Sequence, residues 1–173
     1  MMGTQAVGRA WYRARQFGNV FRSRLSTDDE ALLRTVLTPP LRRLFAGMHP
    51  VAQRHHLDVC QDLQRQGWDD PEVLTAALLH DVGKGALGPW ARAVIVLAQH
   101  LTPALLRPRA IPVALRAGPL AWLALQAEHP ERGAIMVARA GASARMVDLI
   151  RRMDQGGDGD PALTALRRSD DSH

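Results

Sequence analysis

The chain has 173 residues, 46% of them hydrophobic, which suits one domain with a sizeable core and excludes wholesale disorder. The formal net charge of +5 comes from an N-terminal arm. Residues 1–27 hold Arg9, Arg13, Arg15, Arg22 and Arg24 and no acid, so no specific nucleic-acid motif is read from the basic balance.

A single cysteine, Cys60, excludes an intrachain disulfide framework and fits a reducing compartment. The most apolar stretch, Trp90 to Leu125, is interrupted by arginines and prolines, so no transmembrane segment is expected. No signal peptide is read at the N-terminus either, and the expected location is cytoplasmic.

In chain order the pattern is helical throughout. Val7, Ala10, Trp11, Ala14, Phe17 and Phe21 recur at helical spacing with arginines opposite, a stripe that reads as a helix packed on the core. Contact between this arm and an anionic surface is the lesser reading. Ser26 or Thr27 caps a second helix that runs through Leu32 and Leu33 to Leu37 and ends at Pro39-Pro40. Leu41 to Phe45 form a short helix stopped near Gly47. Pro50 starts a longer one, closed by Gly67, and Pro71 starts the next, with Asp69 or Asp70 as its cap. Between 88 and 127, repeated prolines predict two or three short kinked helices. Pro130 is expected to begin a helix ended by Gly141, Ser143 to cap another, and Asp160-Pro161 to open a last one to about residue 169.

His80-Asp81-Val82-Gly83-Lys84 stands where the apolar helix from Pro71 runs out, and Gly83 suits a left-handed exit. His80 shares a face with Val73, Ala76 and Ala77, and Asp81 with Leu74, Ala77 and Leu78, so both point inward. A buried imidazole beside a buried carboxylate needs a partner, and a divalent ion satisfies both. The competing reading is a histidine at a helix C-terminus and an aspartate in a turn. Lys84 is the only lysine in the chain. On the helix from Pro50, His55 and His56 flank the apolar stripe of Ala52, Val59, Cys60 and Leu63, and periodicity does not choose between them. At the C-terminus Asp170 points inward if the last helix extends that far, with Asp171 outward. A solvated acidic tail is the alternative.

These elements resemble the HD-domain superfamily of metal-dependent phosphohydrolases. His55-His56-Leu57-Asp58-Val59 looks like its first-histidine helix, and the resemblance selects His55. Ala77 to Lys84 is similar to the His-Asp doublet segment, His129-Pro130-Glu131-Arg132-Gly133-Ala134 to a later His-x-x-x-Gly-Ala segment, and Leu166 to Asp170 to the helix of the last aspartate. The resemblance covers residues 49 to 171, in the family's order. It implies an all-α, compact multi-helix bundle, with residues 1–47 as an N-terminal helical extension packed on the core and 48–173 as the metal-binding domain.

The site so implied is mononuclear. His55, His80, Asp81 and Asp170 hold one divalent ion, with Mn, Mg, Co, Ni, Fe and Zn not distinguished, and metal-bound hydroxide attacks a phosphate ester. The substrate is small and phosphorylated, a nucleotide or a phosphomonoester. Lys84, with one or more of Arg132, Arg139, Arg151 and Arg152, neutralises the phosphate. His129 donates to the leaving group or holds a weak second ion. Many two-metal members have a further histidine where this chain has Met153, and a thioether is a poor ligand for hard ions. Asp148, Asp154 and Asp158 are fallback donors should Asp170 not serve, none in a matching segment. The alternative function is an HD-fold binding or regulatory module without turnover.

Overall fold

The computed structural model describes residues 25–85, 121–155 and 159–173. Among the described residues there are seven α-helices and no strand. They are α1 (Thr27–Val36), α2 (Pro39–Ala46), α3 (Pro50–Arg65), α4 (Pro71–Leu79), α5 (Ala121–Arg139), α6 (Ala144–Arg152) and α7 (Pro161–Ser172), and a 3-10 turn, Val82–Lys84, follows α4. The expected all-α class is what the described residues adopt. The helix expected over residues 7–21, with its proposed surface contact, and most of the 88–127 segment lie outside the described residues.

The helix starts follow local chemistry. At α1 the Ser26 hydroxyl accepts from the Asp29 N–H at 3.1 Å, and the Asp29 carboxylate accepts from the Ser26 N–H at 2.9 Å, a capping box that satisfies two otherwise unpaired donors. Pro39, Pro50, Pro71 and Pro161 open α2, α3, α4 and α7, a position where a missing N–H costs nothing. Asp70 and Asp160 are the caps ahead of α4 and α7. Gly67 and Gly141 leave α3 and α5 with φ of +90° and +87°, the left-handed exit that glycine takes without strain.

Helix α4 is the centre of the bundle. Every residue from Val73 to Leu79 is buried, as a helix apolar on all sides requires. It packs against α3 and α6, with further contacts to α1, α2 and α7. Leu33, Leu37, Leu41 and Phe45 of α1 and α2 belong to the same hydrophobic cluster as Leu57, Leu78, Leu149 and Leu166. The polar residues at the end of α4 are therefore delivered to the middle of the protein rather than to its rim.

Three expectations are corrected. Pro130 does not begin a helix; it lies inside α5, which is already helical from Ala121. Interior proline costs one ladder hydrogen bond and kinks the helix, about 3 kcal/mol. The Ala- and Leu-rich run 121–128 carries the helix through it. Gly83 is not a left-handed exit: the positive φ falls on Gly85, at +64°, while Gly83 sits within the 3-10 turn. Glycine is needed there because a Cβ would lie 2.0 Å from the His129 carbonyl oxygen and 2.7 Å from the Gly133 nitrogen. Finally, α7 continues past residue 169 to Ser172, so Asp170 is held in a helix and is not part of a loose tail.

Candidate metal centre

Both histidines of α3 reach the end of α4. His56 is fully buried and His55 partly so. The Nδ1 of His56 lies 3.1 Å from the carbonyl oxygen of Leu78, and the Nδ1 of His80 lies 3.0 Å from that of Ala77. A carbonyl oxygen only accepts, so each Nδ1 carries a hydrogen, and a ring that is neutral then has its lone pair on Nε2. Both Nε2 atoms are buried and make no hydrogen bond.

Two carboxylates complete the cluster. Asp170, on α7, places Oδ1 at 2.8 Å from His55 Nε2 and 3.2 Å from His80 Nε2. Asp81 places Oδ1 at 3.9 Å from His80 Nε2 and Oδ2 at 3.8 Å from His56 Nε2. The donor nitrogens of His55, His56 and His80 all fall within 4.8 Å of one another. His55, His80, Asp81 and Asp170, the four residues the resemblance singles out, are thus brought together.

Asp81 also faces a second polar group. Its Oδ2 accepts from Lys84 Nζ at 2.6 Å, and its Oδ1 is 3.5 Å from Nε2 of the buried His129. That same Nε2 lies 3.1 Å from Asp154 Oδ2, in the turn after α6. The turn is held from α7, where the Arg167 guanidinium donates to the carbonyls of Arg152, Met153 and Gln155. The helix carrying Asp170 therefore also fixes the turn carrying Asp154.

The arginines considered for phosphate are ion-paired or exposed. Arg151 pairs with Glu131 at 2.7 Å and Arg152 with Asp148 at 2.7 Å, while Arg132 and Arg139 are exposed. Met153 is in the core cluster. Asp158 lies outside the described residues.

The electrostatics follow from burial and these neighbours. Burial pushes the His56 pKa down to about 3, helped by the nearby His80. Burial opposes a charge on His80 too, but Asp81 and Asp170 outweigh it and raise its pKa. Burial likewise disfavours ionised Asp170 and Asp81. The contacts of Asp170 with His55 and His80 nevertheless hold its carboxyl well below the usual range, and Lys84 and His80 do the same for Asp81. Against burial, Asp154 and Asp81 raise His129 to about 9.

The donor set fits a divalent ion. Neutral Nε2 lone pairs and carboxylate oxygens repel one another at these separations unless a proton or a cation lies between them. Imidazole nitrogen mixed with carboxylate oxygen suits first-row divalent metals. His56 and Asp154 are the two residues of this region not chosen from the sequence. The adjacent His55-His56 pair signals the first, and Asp154 is one of three fallback acids that the sequence offers without ranking them.

Searches of protein-family models, curated proteins and solved structures find no match to the chain. Among the described residues no helix is long and apolar enough to cross a membrane.

Proposed function

We propose that the protein is a metal-dependent phosphohydrolase of the HD-domain type, hydrolysing a phosphate ester of the nucleotide or phosphomonoester class. The observation that carries this reading is the 2.8 Å approach of Asp170 to His55, residues 115 positions apart, with His80 and Asp81 at the same point. His55, His80, Asp81 and Asp170 would hold the ion. A divalent ion bound there would supply Lewis acidity, acidifying water or polarising a phosphoryl oxygen.

The remaining work belongs to the chain's own groups. Lys84, whose ammonium already meets Asp81, would turn to the phosphoryl oxygens as a compact positive charge. His129 holds a proton on Nε2 between Asp81 and Asp154 and would offer it to the departing oxygen. Gly83 and Gly133 let the 3-10 turn and α5 approach closely enough for Asp81 and His129 to meet.

Met153 supports the second reading, a binding or regulatory module. It is buried in the core at the position where the resemblance implies a further histidine, and a thioether is a poor ligand for hard ions. One experiment separates the two: elemental analysis of protein purified without a chelating tag, then a screen of nucleotides and phosphomonoesters with Mn²⁺, Co²⁺ or Mg²⁺. Turnover that His80→Ala and Asp81→Ala both abolish supports the enzyme. Bound metal without turnover of any ester supports the module.

A further inference from the structure

Building on the metal reading above, we propose that His56 is a fifth donor to the same ion, and that three imidazoles with two carboxylates select a borderline transition metal over Mg²⁺. His56 is fully buried, yet its Nε2 has no hydrogen-bond partner. A buried polar atom left unsatisfied costs about 1–3 kcal/mol, so a residue kept only for packing has no use for that nitrogen. The ring is not free to turn it elsewhere. The Nδ1–H bond to the Leu78 carbonyl points Nε2 at Asp81 Oδ2, 3.8 Å away. This is the arrangement in which a ligating histidine is fixed by its other nitrogen, and His80 repeats it one helical turn of chain away through Ala77.

The distances allow a shared ion. Two donors on one metal, each bonded at about 2.1 Å, lie no more than about 4.2 Å apart. Four neighbouring pairs satisfy that limit, His56–Asp81 (3.8 Å), His80–Asp81 (3.9 Å), His80–Asp170 (3.2 Å) and His55–Asp170 (2.8 Å), and the three imidazole nitrogens, within 4.8 Å of one another, would close by about half an ångström on a common ion. The His56 and His80 rings are neighbours, with centroids 4.3 Å apart. Five donors leave a six-coordinate ion one open position for water or substrate. Mg²⁺ prefers oxygen ligands and retains several waters, which a nitrogen-rich pocket with one open position does not accommodate. Imidazole favours Fe, Ni, Cu and Zn.

The test uses the full chain, stripped of metal and reloaded with Zn²⁺ or Co²⁺, with X-ray absorption to count the imidazoles on the ion. Three are expected in the wild type and two in His56→Gln. The substitution should lower Zn²⁺ affinity by at least the roughly 10-fold that loss of an outer-shell partner already causes, while leaving weak Mg²⁺ binding unchanged. A count of two in the wild type overturns the proposal, as does an unchanged count in a folded His56→Gln. If that variant does not fold, the wild-type count alone decides. Failure of the underlying metal reading looks different: the wild type takes up no ion, or His80→Ala retains it, and both ideas then fall. One ion held through His80 with only two imidazoles removes His56 alone.

Discussion

Gly83 sits so close to α5 that a methyl group on its Cα would lie 2.0 Å from the carbonyl oxygen of His129. The clash would be with backbone, so no side-chain rotation relieves it, and the 3-10 turn and α5 would have to separate. Asp81 and His129 are carried by those two elements, so the Nε2–Oδ1 distance of 3.5 Å would lengthen with them. Gly83→Ala is expected to destabilise the protein by about 1–3 kcal/mol, the usual cost of overpacking, measured by urea denaturation. It should also impair metal uptake in the fraction that folds. Gly85, with positive φ but open space around its Cα, is the contrast: Gly85→Ala would be strained by its backbone conformation while leaving the contact with α5 in place.

Asp170 and Asp171 are adjacent acids on α7 with opposite surroundings. Asp170 faces His55 and His80, and Asp171 is exposed. Asp170→Asn should therefore lower divalent-metal affinity by more than about 10-fold, the lower end of what even outer-shell changes cost, in a competition titration against a chromophoric chelator. Asp171→Asn should bind metal as the wild type does. Equal behaviour of the two variants would remove Asp170 from the donor set.

How much of this was readable in advance depends on how local the cause is. Ser26, Pro50, Asp70-Pro71, Ser143 and Asp160-Pro161 mark helix starts through interactions spanning two or three residues, and the helices begin at those points. Pro130 misled because a residue suited to a first turn also fits an interior when strong helix formers precede it. The reason for Gly83 is not in its own neighbourhood at all; it is the backbone of α5, nearly fifty positions on. The choice between His55 and His56 was undecidable from α3 alone, because it depends on the Leu78 carbonyl of another helix. Asp154 stood among three fallback acids with nothing local to single it out, since Arg167 of α7 is what holds its turn in place.

Asp29 supplies a pH dependence away from the centre. Its carboxylate is almost fully buried, accepts from Ser26 N–H, and pairs with Arg54 at 2.8 Å. Burial alone would raise its pKa, but Ser26 and Arg54 outweigh that and lower it below the ordinary carboxylate range. A folded pKa below the unfolded one means the stabilisation is complete above about pH 4, and is lost as pH falls through the folded value. Asp29→Asn should cost about 1–2 kcal/mol at neutral pH, the range for losing a cap interaction. The difference between wild type and variant should shrink as the solution is acidified below pH 4. A difference that stays constant with pH would place the contribution in packing rather than charge.

On the proposed phosphohydrolase reading, Lys84 would separate metal binding from phosphate binding. Its ammonium is 2.6 Å from Asp81 Oδ2, so in the metal-free protein it occupies an oxygen that an ion would also use. Replacing it should free that oxygen, and Lys84→Gln is expected to bind a divalent ion as tightly as the wild type or more so. Removing a charged donor from a phosphate site typically costs about 1.5–3 kcal/mol, or roughly 10- to 100-fold in affinity. Inhibition or binding by inorganic phosphate should weaken by that factor in the metal-loaded variant, measured by calorimetry. Asp81→Ala should instead lose the metal, and the phosphate affinity that depends on it. If Lys84→Gln loses the metal and the phosphate affinity together, as Asp81→Ala does, the lysine acts only by holding Asp81 in place.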